Sequence, residues 1–98
     1  MHFDEFRDLM DRTYGLQDSE RGLAATVAWI AEEVGELAQA VRKGSREEQL
    51  HELGDVLAWV ASLAAQLGLS MDEAVARYAD GCPKCAASPC RCGAAGVE

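Results

Sequence analysis

Apolar positions recur along this chain at intervals of three and four, the spacing of amphipathic α-helices, and never alternate as strands do. Phe3, Phe6, Leu9 and Met10 mark a first short helix over residues 2–13, with Asp4, Glu5, Arg7 and Asp8 between them and Gly15 as its stop. Residues 16–18 read as a polar link, with Asp18 or Ser19 capping the next helix. That second helix is predicted from about Glu20 to Lys43. Leu23, Val27, Ile30, Val34, Leu37 and Val41 form one narrow apolar stripe, and Gly44 ends it. Arg42 and Lys43 suit the negative end of the helix dipole. Ser45-Arg46-Glu47-Glu48 is a capping box that restarts the chain as a third helix to about Leu67, closed by Gly68. So short a link makes an antiparallel hairpin.

The third helix is apolar on more than one side. Its main stripe is Leu50, Leu53, Leu57, Val60, Ala64 and Leu67; the opposite side carries Glu52, Asp55, Trp59, Leu63 and Gln66. Such a helix belongs in the middle of an assembly. Ser70-Met71-Asp72-Glu73 opens a fourth helix through Ala74, Val75 and Tyr78 to a stop near Gly81. The expected fold is therefore all-α: an antiparallel bundle of about four helices spanning residues 1–81, completed by dimerisation. A cysteine-rich knuckle over 82–92 and a disordered tail over 93–98 follow. With 98 residues and an apolar fraction of 49% that leans on alanine, one chain has little to bury, which favours self-association. A net charge of −8 argues against a nucleic-acid polymer or an anionic membrane as partner. No signal-peptide pattern or membrane span is evident, so the expected compartment is the cytoplasm.

Two carboxylate pairs stand out. Glu33 and Glu36 are three residues apart, as are Glu52 and Asp55, so each pair shares a helix face. On the second helix Trp29, Glu33, Glu36 and Ala40 lie roughly 110° from the apolar stripe, which places the acids beside the packing seam without being in it. Acidic faces are common on solvated helices. Here, however, each pair encloses a helix-interior glycine (Gly35, Gly54), at a cost of roughly 1 kcal/mol, and adjoins a tryptophan. The glycines suggest that another helix comes close. Four converging carboxylates repel one another unless a hard cation sits among them, Mg²⁺ or Mn²⁺.

Glu32-Glu33-x-x-Glu36, followed after fifteen residues by Glu52-x-x-Asp55, resembles the signature of the all-α MazG-like nucleoside triphosphate pyrophosphohydrolases. The flanking runs Trp29 to Ala38 and Asp55 to Trp59 extend the likeness, which covers roughly residues 20–80. The resemblance implies Mg²⁺-dependent cleavage between the α and β phosphates of a nucleotide, with Glu33, Glu36, Glu52 and Asp55 as metal ligands. It also implies a homodimer or a dimer of dimers. Glu32 is then a candidate to orient the attacking water or to hold a substrate-borne metal. Trp29 and Trp59 are candidates to stack on the base, and Lys43 to meet a phosphate, although packing and capping are ordinary roles for these residues. His51 reads as a surface histidine. Cys82-x-x-Cys85, four residues, then Cys90-x-Cys92 suits a four-cysteine zinc knuckle, although the short gap leaves one chain little slack to wrap an ion; redox-active or incidental thiols are the alternatives. From a different class, a non-catalytic helical dimerisation module whose zinc tail binds a protein also accounts for the pattern.

Overall fold

The computed structural model describes residues 1–93; most of the expected disordered tail lies outside the described residues. Four helices follow in order, α1 (Phe3–Arg21), α2 (Leu23–Lys43), α3 (Arg46–Leu67) and α4 (Met71–Ala76), and the described residues contain no strand. The all-α class is as the spacing predicts. α3 packs against both α1 and α2, which meet each other little, so the third helix does occupy the middle. None of the described helices is long and apolar enough to cross a membrane.

The α2–α3 hairpin turns where the sequence places it. Gly44 is demanded by close approach, since a Cβ there would lie 2.8 Å from the Ala40 carbonyl oxygen. Ser45 Oγ accepts the Glu48 N–H at 3.1 Å, and the Glu48 carboxylate accepts the Ser45 N–H at 3.2 Å, which completes the capping box. Gln49 Nε2 then donates to the Ala40 carbonyl across the turn. Gly68 ends α3 in the left-handed conformation, φ +68°. At the start of α4, Ser70 Oγ accepts the Glu73 N–H, but the regular helix stops at Ala76 and continues to Asp80 as turns. The Asp4 carboxylate reaches across from α1 to accept from Ser70 Oγ at 2.6 Å and from the Met71 N–H at 2.7 Å. Those bonds hold the Asp4 carboxyl below its usual range and fasten the start of α1 to the start of α4.

The first helix corrects the sequence reading. α1 runs through Gly15 and the supposed link, and breaks only at Gly22, whose φ of +86° with ψ of 164° is open to glycine alone. A glycine inside a helix costs only about 1 kcal/mol, and distant contacts outweigh it. Gln66 Nε2 of α3 donates to the Asp18 carbonyl at 2.9 Å, and the Arg21 guanidinium lies over the Trp59 ring at 4.7 Å. Asp18 is thus buried within a helix, paired with Arg21 at 2.7 Å, and caps nothing.

The packing seam is a second correction. Within the chain it is the side carrying Thr26, Glu33 and Ala40 that closes against a neighbour, with Thr26 fully buried and Ala40 nearly so. Much of the apolar stripe faces outward: Val27, Val34 and Val41 of α2 are 53%, 48% and 65% exposed, and Leu50, Leu53 and Leu57 of α3 are exposed too, while Ile30 and Leu37 are half-buried. The glycine expectation also fails within one chain, because nothing lies within 4 Å of a Cβ built at Gly35 or Gly54. A radius of gyration of 16.2 Å, against about 13 Å for a compact chain of this length, fits a bundle whose apolar faces lack cover.

Candidate active site

The carboxylates converge where α2 and α3 pass each other. Ligand oxygens of Glu33, Glu36 and Glu52 lie within 4.8 Å of one another, and Asp55 joins Glu52 at the same spacing together with a ring nitrogen of His51. Glu52 therefore links two overlapping groups. Glu33 Oε2 and Glu52 Oε2 are shielded from solvent and have no hydrogen-bond partner. Burial, then the adjoining Glu36 carboxyl, then the charges of Asp55 and Glu52 push the Glu33 carboxyl up to about 6. Glu52 is raised as well, by burial first and then by Glu36 and Asp55. In a helix the backbone N–H groups are already bonded to carbonyls one turn back, so none is free to stabilise these anions. Strain of this kind is what a divalent cation relieves, and a donor set made of oxygen suits a hard one.

Two clefts open on either side of the cluster. One, of about 450 Å³, is lined by Glu36, Gln39, Lys43, Glu48 and Glu52, so Lys43 does face the acids. The other, of about 280 Å³, lies between α1 and α3 and is lined by Tyr14, Gln17, Asp18, Arg21, Asp55 and Trp59 among others. Trp29 and Trp59 stack on each other, with centroids 5.8 Å apart and planes 11° from parallel. The ring faces they share are closed to any ligand, and Trp59 is also covered by Arg21. Glu32 is exposed on α2 and joins none of the close groups.

Several residues that line the clefts or adjoin the cluster escaped the sequence reading. His51 Nε2 stands 3.3 Å from Asp55 Oδ2, which its i,i+4 spacing from Asp55 signalled. Tyr14, Gln17, Asp18 and Arg21 are missed because the sequence reading ends the first helix before Gly15, takes 16–18 as a link with Asp18 as a cap, and starts a new helix at about Glu20. Their spacing of three and four was the available sign that the helix continues.

Away from this site, the four cysteine sulfurs lie within 4.8 Å of one another, and none is in a disulfide. N–H groups of Cys85 and Lys84 hold the Cys82 thiol down to about 6, whereas Cys92, beside the Cys90 and Cys82 sulfurs, is pushed up to about 12.

The paired acidic motif, its placement on an antiparallel helical hairpin and the flanking clefts agree with what a comparison of the sequence with protein families returns. The MazG nucleotide pyrophosphohydrolase domain matches residues 21–84, from the last residue of α1 to the first cysteine pair, and the chain belongs to that family.

Proposed function

We propose that the chain hydrolyses a nucleoside triphosphate, or a related nucleotide, between its α and β phosphates, releasing a nucleoside monophosphate and pyrophosphate. The observation that carries this reading is the pair of buried, partnerless oxygens of Glu33 and Glu52 inside the acidic cluster. Unpaired buried carboxylates cost stability, and a scaffold gains nothing from them. Glu33, Glu36, Glu52 and Asp55 would hold Mg²⁺, with Mn²⁺ as the alternative. When bound, the ion neutralises phosphate charge and lowers the pKa of a water.

Phosphoanhydride hydrolysis asks the protein mainly for positioning and charge. Lys43, in the cleft with Glu36 and Glu52, supplies a cation to the phosphate chain. Exposed Glu32 orients the attacking water or holds a further metal carried in by the substrate. The nucleoside end lies in the cleft between α1 and α3, where Arg21 and Tyr14 offer cationic and aromatic surface and Trp59 backs the guanidinium. Trp29 keeps one flank in solvent for a base, while its stacking with Trp59 serves to brace the hairpin.

The working unit is a homodimer or a dimer of dimers. The described residues bury only Ala40, Ala61 and Cys92 among apolar side chains, so the exposed stripes of α2 and α3 supply the missing core by pairing between copies. Such an enzyme serves nucleotide-pool housekeeping in the cytoplasm. The non-catalytic module is the weaker reading, since it leaves the acidic cluster without a purpose. Purified protein incubated with Mg²⁺ and a panel of nucleoside triphosphates should release monophosphate and pyrophosphate. Diphosphate with orthophosphate would contradict the assigned bond, and no turnover with any nucleotide would sink the enzyme reading.

A further inference from the structure

The segment after α4 is ordered without a core. Among residues 81–93 only Cys92 is buried, yet the backbone folds back on itself: the Cys82 N–H donates to the Ala87 carbonyl at 3.0 Å, and the Ala86 N–H to the Cys82 carbonyl at 2.6 Å. Ala86 is held at φ +57°, a left-handed conformation that costs an alanine free energy. A short loop with no apolar interior does not offset the entropy of ordering by itself. Something must tie it together.

The sulfur geometry identifies the tie. Cys82 and Cys92 sulfurs are 3.6 Å apart, and Cys85 and Cys90 sulfurs 3.9 Å. A disulfide requires about 2.05 Å. Four thiolates at about 2.3 Å from one tetrahedral zinc ion stand about 3.8 Å from each other, a value these two distances bracket. The thiols are also too close together to enclose a cluster of several irons. The turn at Ala86 answers the doubt raised by the short gap, because it brings the second pair back over the first. The Arg91 N–H points at Cys85 Sγ at 3.3 Å and the Cys92 N–H at Cys90 Sγ at 3.4 Å. N–H donors of this kind stabilise thiolates, and Lys84 and Arg91 in the same loop offset the negative charge of a four-thiolate site. The family match ends at residue 84, so the catalytic domain does not account for this arrangement.

We propose that Cys82, Cys85, Cys90 and Cys92 bind one structural zinc ion that folds residues 82–92 into a closed knuckle. All four positions are filled by sulfur, which leaves no open site for a reactant. The ion is a cross-link and takes no part in turnover.

Elemental analysis of the full-length chain, purified without chelator, should find about one zinc per chain. Replacing zinc with Co²⁺ should give the strong visible absorption of a tetrahedral cobalt thiolate. Cys90→Ser, at an exposed position, should lower zinc content at least about tenfold while helix content stays level. Cys85→Ser should do the same, whereas Glu36→Gln should keep the zinc. Three outcomes would overturn the proposal: zinc below a tenth of an equivalent with four freely reactive thiols, iron in its place, or a disulfide in the protein as isolated.

Discussion

The acidic cluster on α2 and α3 and the four cysteines after α4 each gather side chains able to hold a metal ion, but they treat negative charge differently. On α2 and α3 the backbone N–H groups are consumed by the helix, so burial and the neighbouring acids push the Glu33 and Glu52 carboxyls up, against only the opposing charge of His51 at Glu52. In the loop after α4 backbone N–H groups are free to turn toward sulfur, and they hold the Cys82 and Cys85 thiols down, while the neighbouring sulfurs push Cys92 up. One site stores repulsion and opens on two clefts; the other is stabilised locally and closed. Hard oxygen donors beside a cleft suit an exchangeable ion that arrives with substrate, and soft sulfur donors without a cleft suit a permanent one.

The largest effect that tests this contrast is removal of one cluster charge. Asp55→Asn or Glu36→Gln should lower turnover at least about 100-fold, since preorganised electrostatic groups at a reacting centre are commonly worth that much. Helix content and bound zinc should both be unchanged. Near-full activity in either variant would show that the residue is no ligand.

A smaller loss is expected at the far cleft. Arg21→Ala removes the guanidinium over Trp59 and leaves Asp18 buried without its partner. KM for the nucleotide should rise by about 10-fold, in keeping with about 1–2 kcal/mol for a partly desolvated cation on an aromatic ring. A fall in kcat with KM unmoved would instead connect Arg21 to the chemistry.

Much of this architecture was legible in the sequence because local chemistry decided it. The Ser45 and Ser70 caps, the Gly44 turn and the Gly68 stop all bond within a few residues. α1 was cut short because Gly15 and Gly22 look alike in sequence. What separates them is distant: Gln66 on the Asp18 carbonyl and Trp59 under Arg21. Periodicity found the apolar stripe of α2 but could not say whether it faces α3 or a second chain. The acids were found by spacing, while their burial depends on how two helices cross. In the tail, cysteine spacing was visible and the left-handed Ala86 that makes the short gap workable was not.

The pH dependence of melting sharpens the contrast further. A carboxyl raised from 4.5 to about 6 binds more protons in the folded chain than in the unfolded one between those values. Its penalty is therefore absent below pH 4.5, grows as pH rises and is complete above about 6. Without divalent metal, melting temperature should fall across that window, and Glu33→Gln should flatten the fall and melt a few degrees higher at pH 7. Mg²⁺ should raise the melting temperature of the original protein most above pH 6, and that of the variant much less. A variant that melts lower at every pH would mean that Glu33 stabilises the fold through contacts and is under no repulsive strain.

The smallest effect is expected from the largest deletion. Ending the chain after Gly81 removes all four cysteines while keeping every cluster acid, Lys43, Arg21 and both tryptophans. The Asp4 bonds to Ser70 and Met71 that fasten α4 lie wholly within the retained part. Because the knuckle exposes no open metal position, its loss should leave pyrophosphohydrolysis within about twofold and abolish zinc binding. If activity vanished while the shortened chain kept its helix content and its association state, the loop would have to reach the acidic site, either in its own chain or in the neighbouring copy. In that event the division between an exchangeable oxygen site and a permanent sulfur site would no longer separate catalysis from structure.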